Sequence, residues 1–321
     1  MSLIKLRLSM VGTLTIIIAA STLFLTVVMS LMGTLNVVTL AFFVIFVNVA
    51  QWLLSPYLIG MMYRTREVTR ADNPRLHSMV EQLSQKLKMK MPKLMIANIP
   101  IPNAFAYGSP LAGNRVALTT GLMKELEEEE VEAVIGHELG HLKHRDMQIM
   151  MFASVLPALF YYLGYSTMLS SWYGGGRRRE QSGATPILIG MTAMAVYWVL
   201  TLLTLSLSRL REYYADQASV SIVDDGARKL SEGLAKIVAA TSRGKKSIGQ
   251  TGGTNGFKTL FISDPDCAEK DIAALTNLSR YGNDQRLVQD ILSRKVSAFD
   301  RFLELLSTHP NMVKRLQALR A

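Results

Sequence analysis

Cysteine is almost absent from this chain, since Cys267 is the only one among 321 residues. No disulfide can form within the chain, which suits a reducing compartment and excludes a fold held by internal disulfides. Acidic residues are also scarcer than basic ones, 25 against 35, which gives a formal net charge of +10. The sequence shows no interleaving of aromatic and basic residues, so this charge does not indicate a nucleic-acid-binding protein.

Charged residues are missing altogether from three long stretches. Residues 8–63 contain no Lys, Arg, Asp, Glu or His, and residues 147–176 and 181–208 are also uncharged and mostly apolar. A membrane-spanning helix needs about 20 apolar residues, so the first stretch has room for two helices and the others for one each. The sequence therefore predicts four spans, and the lack of ionisable residues within them disfavours a transporter.

Basic residues are distributed unevenly around these spans. Lys5 and Arg7 precede the first hairpin and Arg64 follows it, whereas its connection is neutral. Because Lys and Arg collect on the cytoplasmic side, both ends of this hairpin are expected to face the cytoplasm. Three arginines at residues 177–179, in the connection of the second hairpin, argue against this arrangement. Either the other flanks dominate and spans three and four cross completely, or this hairpin enters the membrane without crossing it.

The segment between the two hairpins carries the motif H-E-x-x-H. His137 and His141 stand one helical turn apart, so both imidazoles can bind one Zn²⁺ with Glu138 beside them. A run of glutamates lies at the expected N-terminus of this helix, where negative charge suits the helix dipole. Gly136 and Gly140 leave a smooth strip along which a second helix could approach closely. The alternative is a charged surface helix that carries two histidines by chance.

A catalytic zinc needs a third protein ligand and an open position for water. His144 shares the helix face, but about 10 Å of straight helix separates it from His137, too far for one ion. Glu212 lies four residues beyond the fourth span, and the histidines lie just before the third, so an antiparallel hairpin brings them side by side. Asp216, one turn later, can accept the outer N–H of a zinc-bound histidine. The alternative is a solvated Glu/Asp pair beside two arginines.

Short elements are expected around the motif. Residues 72–91 have the apolar spacing of an amphipathic helix. Residues 92–97 and 115–119 are typical of short strands that precede the motif helix. Residues 241–256 are rich in Gly, Ser, Thr and Lys, which predicts a surface loop.

Taken together, these features resemble the HtpX-type membrane zinc metalloproteases, which are gluzincins related to the prenyl-protein proteases. The resemblance rests on H-E-L-G-H at residues 137–141, the E-x-x-x-D from Glu212 to Asp216, and the positions of the two hairpins. Two further motifs match, namely N-A-F-A at residues 103–106 and the His309-Pro310 pair followed by Arg315. The resemblance covers nearly the whole chain.

The family resemblance implies a ligand set and a catalytic residue. One Zn²⁺ per chain would be bound by His137, His141 and Glu212. Glu138 would act as general base and then as proton donor to the leaving amine. His309 would approach the zinc as a transition-state donor or an extra ligand, unless it only forms a His-Pro turn that ends a helix.

The same resemblance implies a substrate and the strand that binds it. An edge strand would pair with an extended peptide by β-augmentation, unless it is an ordinary core or turn strand. The residues concerned are Asn103, Ala104, Phe105 and Ala106. The implied substrates are polypeptides, in particular misfolded or damaged membrane proteins.

We therefore expect a mainly α-helical, four-span polytopic membrane protein with a small β-sheet and a zincin-like HExxH catalytic domain. The expected parts are a transmembrane hairpin (1–63), a catalytic subdomain with edge strand and motif helix (64–146), a second hairpin (147–208) and a subdomain supplying the third ligand (209–321). The expected location is the cell membrane, plasma or inner, with a cytoplasmic active site. The expected partners are the bilayer and a polypeptide, without nucleic acid. A prenyl-protein-type protease and a non-catalytic metal-binding membrane scaffold are the alternatives.

Overall fold

The computed structural model describes residues 37–173, 185–248 and 284–320. The chain forms two compact units, one drawn from Met1–Gln51 and Met150–Thr204 and the other from Trp52–Ile149 and Leu205–Ala321. The first predicted span and the three arginines at 177–179 lie outside the described residues. The four-part division made from the sequence stays a prediction.

The described elements are mostly helices. The helices are α1 (Val37–Met62), α2 (Pro74–Lys86), α3 (Thr120–Glu125), α4 (Glu128–Lys143), α5 (Asp146–Tyr173), α6 (Thr185–Ile222), α7 (Gly226–Ile248), α8 (Asp284–Leu292), α9 (Ala298–Leu305) and α10 (Met312–Arg320). The strands are β1 (Thr65–Glu67), β2 (Lys93–Ala97), β3 (Ala104–Ser109) and β4 (Gly113–Thr119). The expectation of a mainly helical chain with a small sheet is confirmed.

Three of these helices are long and apolar enough to cross a membrane. The stretches concerned are Phe42–Met62 in α1, Asp146–Leu169 in α5 and Ile187–Ile222 in α6. They correspond to the second, third and fourth spans predicted from the sequence. The chain is therefore a multi-pass membrane protein.

Aromatic side chains fill the interior of the first unit. Tyr161, Tyr162 and Tyr197 are buried there together with Val44. The rings of Tyr161 and Tyr197 meet edge to face, with 5.2 Å between their centroids. This geometry suits the quadrupoles of aromatic rings, so the contact adds to the free energy gained by burial.

A four-stranded sheet belongs to the second unit, with the strand order β1-β2-β4-β3. Strands β2 and β4 are parallel, whereas β3 and β4 are antiparallel, with Ala104 opposite Leu118 and Ala106 opposite Val116. Both strands expected from residues 92–97 and 115–119 are present. Because β3 pairs on one side alone, it is an edge strand of the sheet within the described residues.

The start of α4 is fixed by acidic residues, as expected from the sequence. Glu128, Glu129 and Glu130 lie in its first turn, where they face the positive end of the helix dipole. The carboxylate of Glu130 is buried and accepts the backbone N–H of Glu127 at 2.8 Å. Burial raises the pKa of the Glu130 carboxyl, and the ammonium of Lys236 on α7, 2.8 Å away, partly offsets this effect.

Two expected boundaries are wrong. Helix α2 ends at Lys86 rather than at residue 91, because Lys88 adopts a left-handed φ of 51°. Helix α7 continues to Ile248 and so includes the first half of the segment 241–256 that was expected to be a loop. The described part of that segment holds one helix-breaking residue, Gly244, and the cost of a glycine within a helix, about 1 kcal/mol, does not end it.

Candidate metal centre

Two glycines bring α4 and α6 into close contact within the second unit. A Cβ atom added to Gly140 would lie 3.0 Å from Cα of Ala215, and one added to Gly136 would lie 2.9 Å from Oγ of Ser219. The hydroxyl of Ser219 also donates a 2.6 Å hydrogen bond to the backbone carbonyl of Ala133. The prediction that these glycines allow close helix approach is confirmed, and this approach sets the level at which α6 presents its carboxylates.

The two motif histidines and Glu212 meet at this contact. The Nε2 atoms of His137 and His141 lie 3.1 Å apart. The carboxylate of Glu212 lies against both rings, with Oε2 3.7 Å from Nε2 of His137 and Oε1 3.5 Å from Nε2 of His141. All three side chains offer ligand atoms within 4.8 Å of one another. The structure thus brings together the three residues that the sequence predicted as ligands.

Each histidine is oriented by a carboxylate behind it. Nδ1 of His137 lies 2.9 Å from Oδ1 of Asp216, and Nδ1 of His141 lies 2.6 Å from Oδ2 of Asp146. A carboxylate at this distance accepts a hydrogen bond, so each neutral ring carries its proton on Nδ1. Each Nε2 atom then carries a lone pair, and Nη2 of Arg315 also lies 3.2 Å from Nε2 of His137. Asp216 occupies the place predicted for it.

Asp146 was not predicted, because the chain does not continue as one helix from α4 into α5. His144 forms the C-terminal cap of α4, and Arg145 adopts a left-handed φ of 55°. This turn brings Asp146, the first residue of α5, back beneath His141. Nε of Arg211 on α6 lies 3.1 Å from the same Asp146 oxygen. The motif helix therefore ends before the third span begins, although the histidines do lie just before that span, as expected.

Arg315 is the largest site residue to which the sequence gave no role. Its side chain on α10 is buried, and Nε and Nη2 each donate a 2.6 Å hydrogen bond to Asp216. Nη1 lies 3.2 Å from Oε2 of Glu212. Burial by itself would lower the pKa of the guanidinium, but Asp216 and Glu212 outweigh it and raise the pKa. Arg315 is thus a permanent positive charge that stabilises two buried carboxylates.

His309 also reaches the centre, as the resemblance implied. It lies in the turn between α9 and α10, and its Nδ1 atom is 3.4 Å from Oε2 of Glu212. Its ring is partly exposed, with 18% of the side-chain surface accessible. His144 is exposed at the end of α4 and takes no part in the cluster, as expected.

The residues of the cluster fit a bound metal ion. Tetrahedral ligands at 2.0–2.1 Å from zinc are roughly 3.3 Å from one another, close to the 3.1 Å between the two Nε2 atoms and slightly shorter than the distances from the two Glu212 oxygens to them. Oε2 of Glu212 is buried, with Nη1 of Arg315 at 3.2 Å and Nδ1 of His309 at 3.4 Å. Two imidazole nitrogens with their protons directed elsewhere and a buried carboxylate form a set of donors that suits a divalent cation.

The predicted substrate strand lies beside this centre. Strand β3 packs against α4, and Asn103 directly precedes it. The carbonyl of Asn103 accepts the backbone N–H of Thr119 at 3.0 Å, so Asn103 faces β4. Because hydrogen-bonding groups alternate along an antiparallel strand, those of Ala104, Ala106 and Gly108 point away from β4. The side chains of Ala104 and Phe105 are buried, whereas Ala106 is half-buried.

The fold and site together define a class, namely multi-pass membrane proteins with a zincin-like His-Glu-x-x-His centre that a distant glutamate completes. This is the arrangement of a membrane metallopeptidase. The chain belongs to peptidase family M48, whose model matches residues 70–321.

Relatives with the name Protease HtpX homolog match most of the chain. The protein of Thermoplasma acidophilum is 38% identical over 289 residues, which cover 89% of this chain and 85% of that relative. The protein of Saccharolobus islandicus is 37% identical over 328 residues, which cover 98% of this chain and 97% of that relative. These matches confirm the family that the sequence motifs indicated.

A solved structure has a similar fold. The crystal structure of S. mikatae Ste24p superposes with a TM-score of 0.54 and 17% identity, covering 98% of this chain. The present chain spans 66% of the length of that protein. At this level of identity the likeness concerns the fold alone.

Proposed function

We propose that the chain is a zinc-dependent endopeptidase that holds one Zn²⁺ between His137, His141 and Glu212. The observation that supports this proposal is the pair of facing Nε2 atoms, 3.1 Å apart, on rings whose Nδ1 atoms are bonded to carboxylates. With their protons on Nδ1, such rings can share a cation through their Nε2 atoms. A non-catalytic scaffold has no need of the base beside them.

Glu138 is the proposed general base. It follows His137 directly on α4, and 3% of its surface is exposed. The chemistry that zinc supplies in such a site is activation of a water molecule and polarisation of the scissile carbonyl. Glu138 would accept the proton of that water and return it to the leaving amine. Nδ1 of His309, 3.4 Å from Oε2 of Glu212, would face the same centre.

Peptidase activity that depends on the metal tests this proposal. The purified full chain in detergent is expected to cleave casein, to lose this activity when a chelator removes the metal, and to regain it with zinc. Cleavage that persists after the metal has been removed, verified by metal analysis, would exclude the proposed chemistry.

Strand β3 is the proposed binding site for the substrate backbone, with Asn103, Ala104, Phe105 and Ala106 nearest the centre. Ala106→Pro removes an N–H that points to the free edge and keeps the pairing with β4. We expect about a tenfold fall in kcat/KM, since a lost hydrogen bond costs about 1 kcal/mol and a displaced peptide loses more. Zinc content should stay at the wild-type level.

The matched control for this variant is Ala106→Ser, which alters the same side chain and retains the N–H. It is expected to keep kcat/KM within about twofold of wild type, because the backbone N–H that would bind the substrate is unchanged. Equal kcat/KM for the proline variant and the wild type would mean that the substrate does not pair with this edge.

We place the active site on the cytoplasmic side of the cell membrane and propose misfolded or damaged membrane proteins as substrates. The supporting feature is the concentration of Lys and Arg at the outer ends of the first hairpin, at Lys5, Arg7 and Arg64. Cysteines introduced at Arg66 and Ser78 should react with a membrane-impermeant maleimide in inverted vesicles and not in intact cells. The opposite pattern would reverse the orientation.

A further inference from the structure

The turn between β3 and β4 carries apolar side chains that the second unit does not cover. Pro110 and Leu111 are exposed at its tip, and 67% of the Leu111 surface is accessible. The tip is a closed structure, since the backbone N–H of Ala112 donates to Oγ of Ser109 at 3.2 Å. From Ala104 to Asn114 the chain carries no charged residue. A single exposed leucine is common on protein surfaces, so the meaning of this tip depends on what lies next to it.

Contacts with α1 show where this tip lies along the membrane-spanning helix. The hydroxyl of Ser109, the last residue of β3, donates a 3.1 Å hydrogen bond to the backbone carbonyl of Leu53. Leu53 lies within Phe42–Met62, the stretch of α1 that is apolar and long enough to cross a membrane. Two residues earlier in β3, the hydroxyl of Tyr107 lies 3.1 Å from Oγ1 of Thr65, which follows the end of α1. Strand β3 therefore runs alongside the second half of α1. Its Tyr107 contacts Thr65, just beyond the end of that helix, and its Ser109 contacts Leu53, within the membrane-spanning stretch.

The residues next to the tip have the character of a membrane interface. The guanidinium of Arg115 lies 5.9 Å from the ring centroid of Tyr57, one turn after Leu53 on α1, and 5.9 Å from that of Tyr107. Tyrosine and arginine with long, partly apolar side chains are typical of the headgroup level, where their polar ends stay hydrated. Leu111 lies beyond Arg115 at the tip of the hairpin, two residues from Ser109, which contacts Leu53 of α1. An apolar side chain beside a membrane-spanning helix can enter the acyl region.

We propose that the β3–β4 turn, residues 110–112, inserts into the surface of the bilayer that α1 crosses. The edge strand then begins at the lipid surface at Ser109 and packs along α4, the helix that carries the histidines. The exposed apolar tip is far smaller than the roughly 800 Å² per partner that a stable dimer buries, which favours lipid over a second copy of this chain.

This arrangement indicates how a membrane-protein substrate would reach the site. In that respect the inference rests on the proposed function. A polypeptide segment that leaves the bilayer beside α1 would meet the free edge of β3 as soon as it becomes extended. Its backbone could pair with Gly108, Ala106 and Ala104 in turn before it reaches Glu138. A segment already anchored in the membrane is thereby held at high local concentration, whereas a soluble protein must find the same edge by diffusion.

Spin labelling tests the insertion independently of any enzymatic activity. Leu111→Cys is made in a Cys267→Ser background, labelled with a nitroxide and reconstituted as the full chain into vesicles of phosphatidylcholine and phosphatidylglycerol. Oxygen, which concentrates in lipid, should then collide with the label more often than a water-soluble nickel complex. Gln82→Cys, at an exposed position on α2, is the matched control and should show the reverse ratio.

Either of two results would overturn the insertion. A label at residue 111 that collides with the nickel complex as often as the label at residue 82 would place the turn in water. A label that is shielded from both reagents would show that protein, such as a second copy of the chain, covers the turn.

A second variant separates this inference from the proposed function. Leu111→Asp should lower the rate at which a membrane-anchored substrate is cleaved, because a carboxylate is expelled from the acyl region, and should leave casein cleavage at the wild-type rate. If both substrates are cleaved at wild-type rates, the turn has no part in substrate delivery. If the wild type cleaves neither substrate, the proposed function fails, and the spin-label result still decides where the turn lies.

Discussion

Glu138→Gln is expected to abolish peptide cleavage while zinc stays bound. The amide has the same shape as the carboxylate and fits the same buried position, but it cannot accept the proton of the attacking water. Removing a general base of this kind lowers kcat by about 10²- to 10⁴-fold. Casein hydrolysis and zinc content of the same purified sample provide the two measurements.

Glu128→Gln is the matched control for this variant. Glu128 lies on the same helix, in its first turn, with 60% of its side chain exposed and a weak ion pair to Arg75 at 3.4 Å. An exposed pair contributes little to stability, so this variant should keep both activity and zinc. If Glu138→Gln cleaved casein at the wild-type rate, Glu138 would not be the base.

Asp216→Asn is expected to weaken zinc binding about 10- to 100-fold, the usual effect of losing the partner of a metal-binding histidine. Asp216 accepts from His137 and from Arg315, so its neutral replacement loosens the imidazole and leaves the buried guanidinium without its nearest negative charge. Competition with a fluorescent zinc chelator measures the change in affinity.

Asp284→Asn provides the comparison for that measurement. Asp284 also pairs with a buried cation, Lys236 at 2.9 Å, but this pair lies at the start of α4, away from the histidines. It should lower thermal stability and leave zinc affinity unchanged. Equal zinc affinity of Asp216→Asn and the wild type would show that Asp216 does not orient His137.

Those parts of the centre that depend on spacing within one helix could be predicted from the sequence. His137 and His141 share a face because they are four residues apart, and Asp216 follows Glu212 on α6 for the same reason. The contact between α4 and α6 could be inferred because spans three and four form an antiparallel hairpin. The residues just before span three and just after span four therefore lie at the same membrane surface. The glycines that permit close contact lie on the face that requires it.

The remaining parts depend on turns and distant contacts that no local pattern reveals. Asp146 reaches His141 through the left-handed conformation of Arg145, which is an unfavoured state for a residue with a side chain. Arg315 binds Asp216 from 99 positions further along the chain, and its sequence context looks like an ordinary amphipathic helix. The H-P…R motif marked Arg315 as a match to the family but gave no indication of its contacts.

Counting the zinc bound by ligand variants tests the central claim most directly. The purified full chain should contain one zinc per chain, and His137→Ala, His141→Ala and Glu212→Ala should each contain almost none, while Asp284→Asn remains loaded. The decisive variant is Glu212→Ala, because it alone tests whether α6 completes the site built on α4. Full zinc content in that variant, with the protein still folded, would contradict the account.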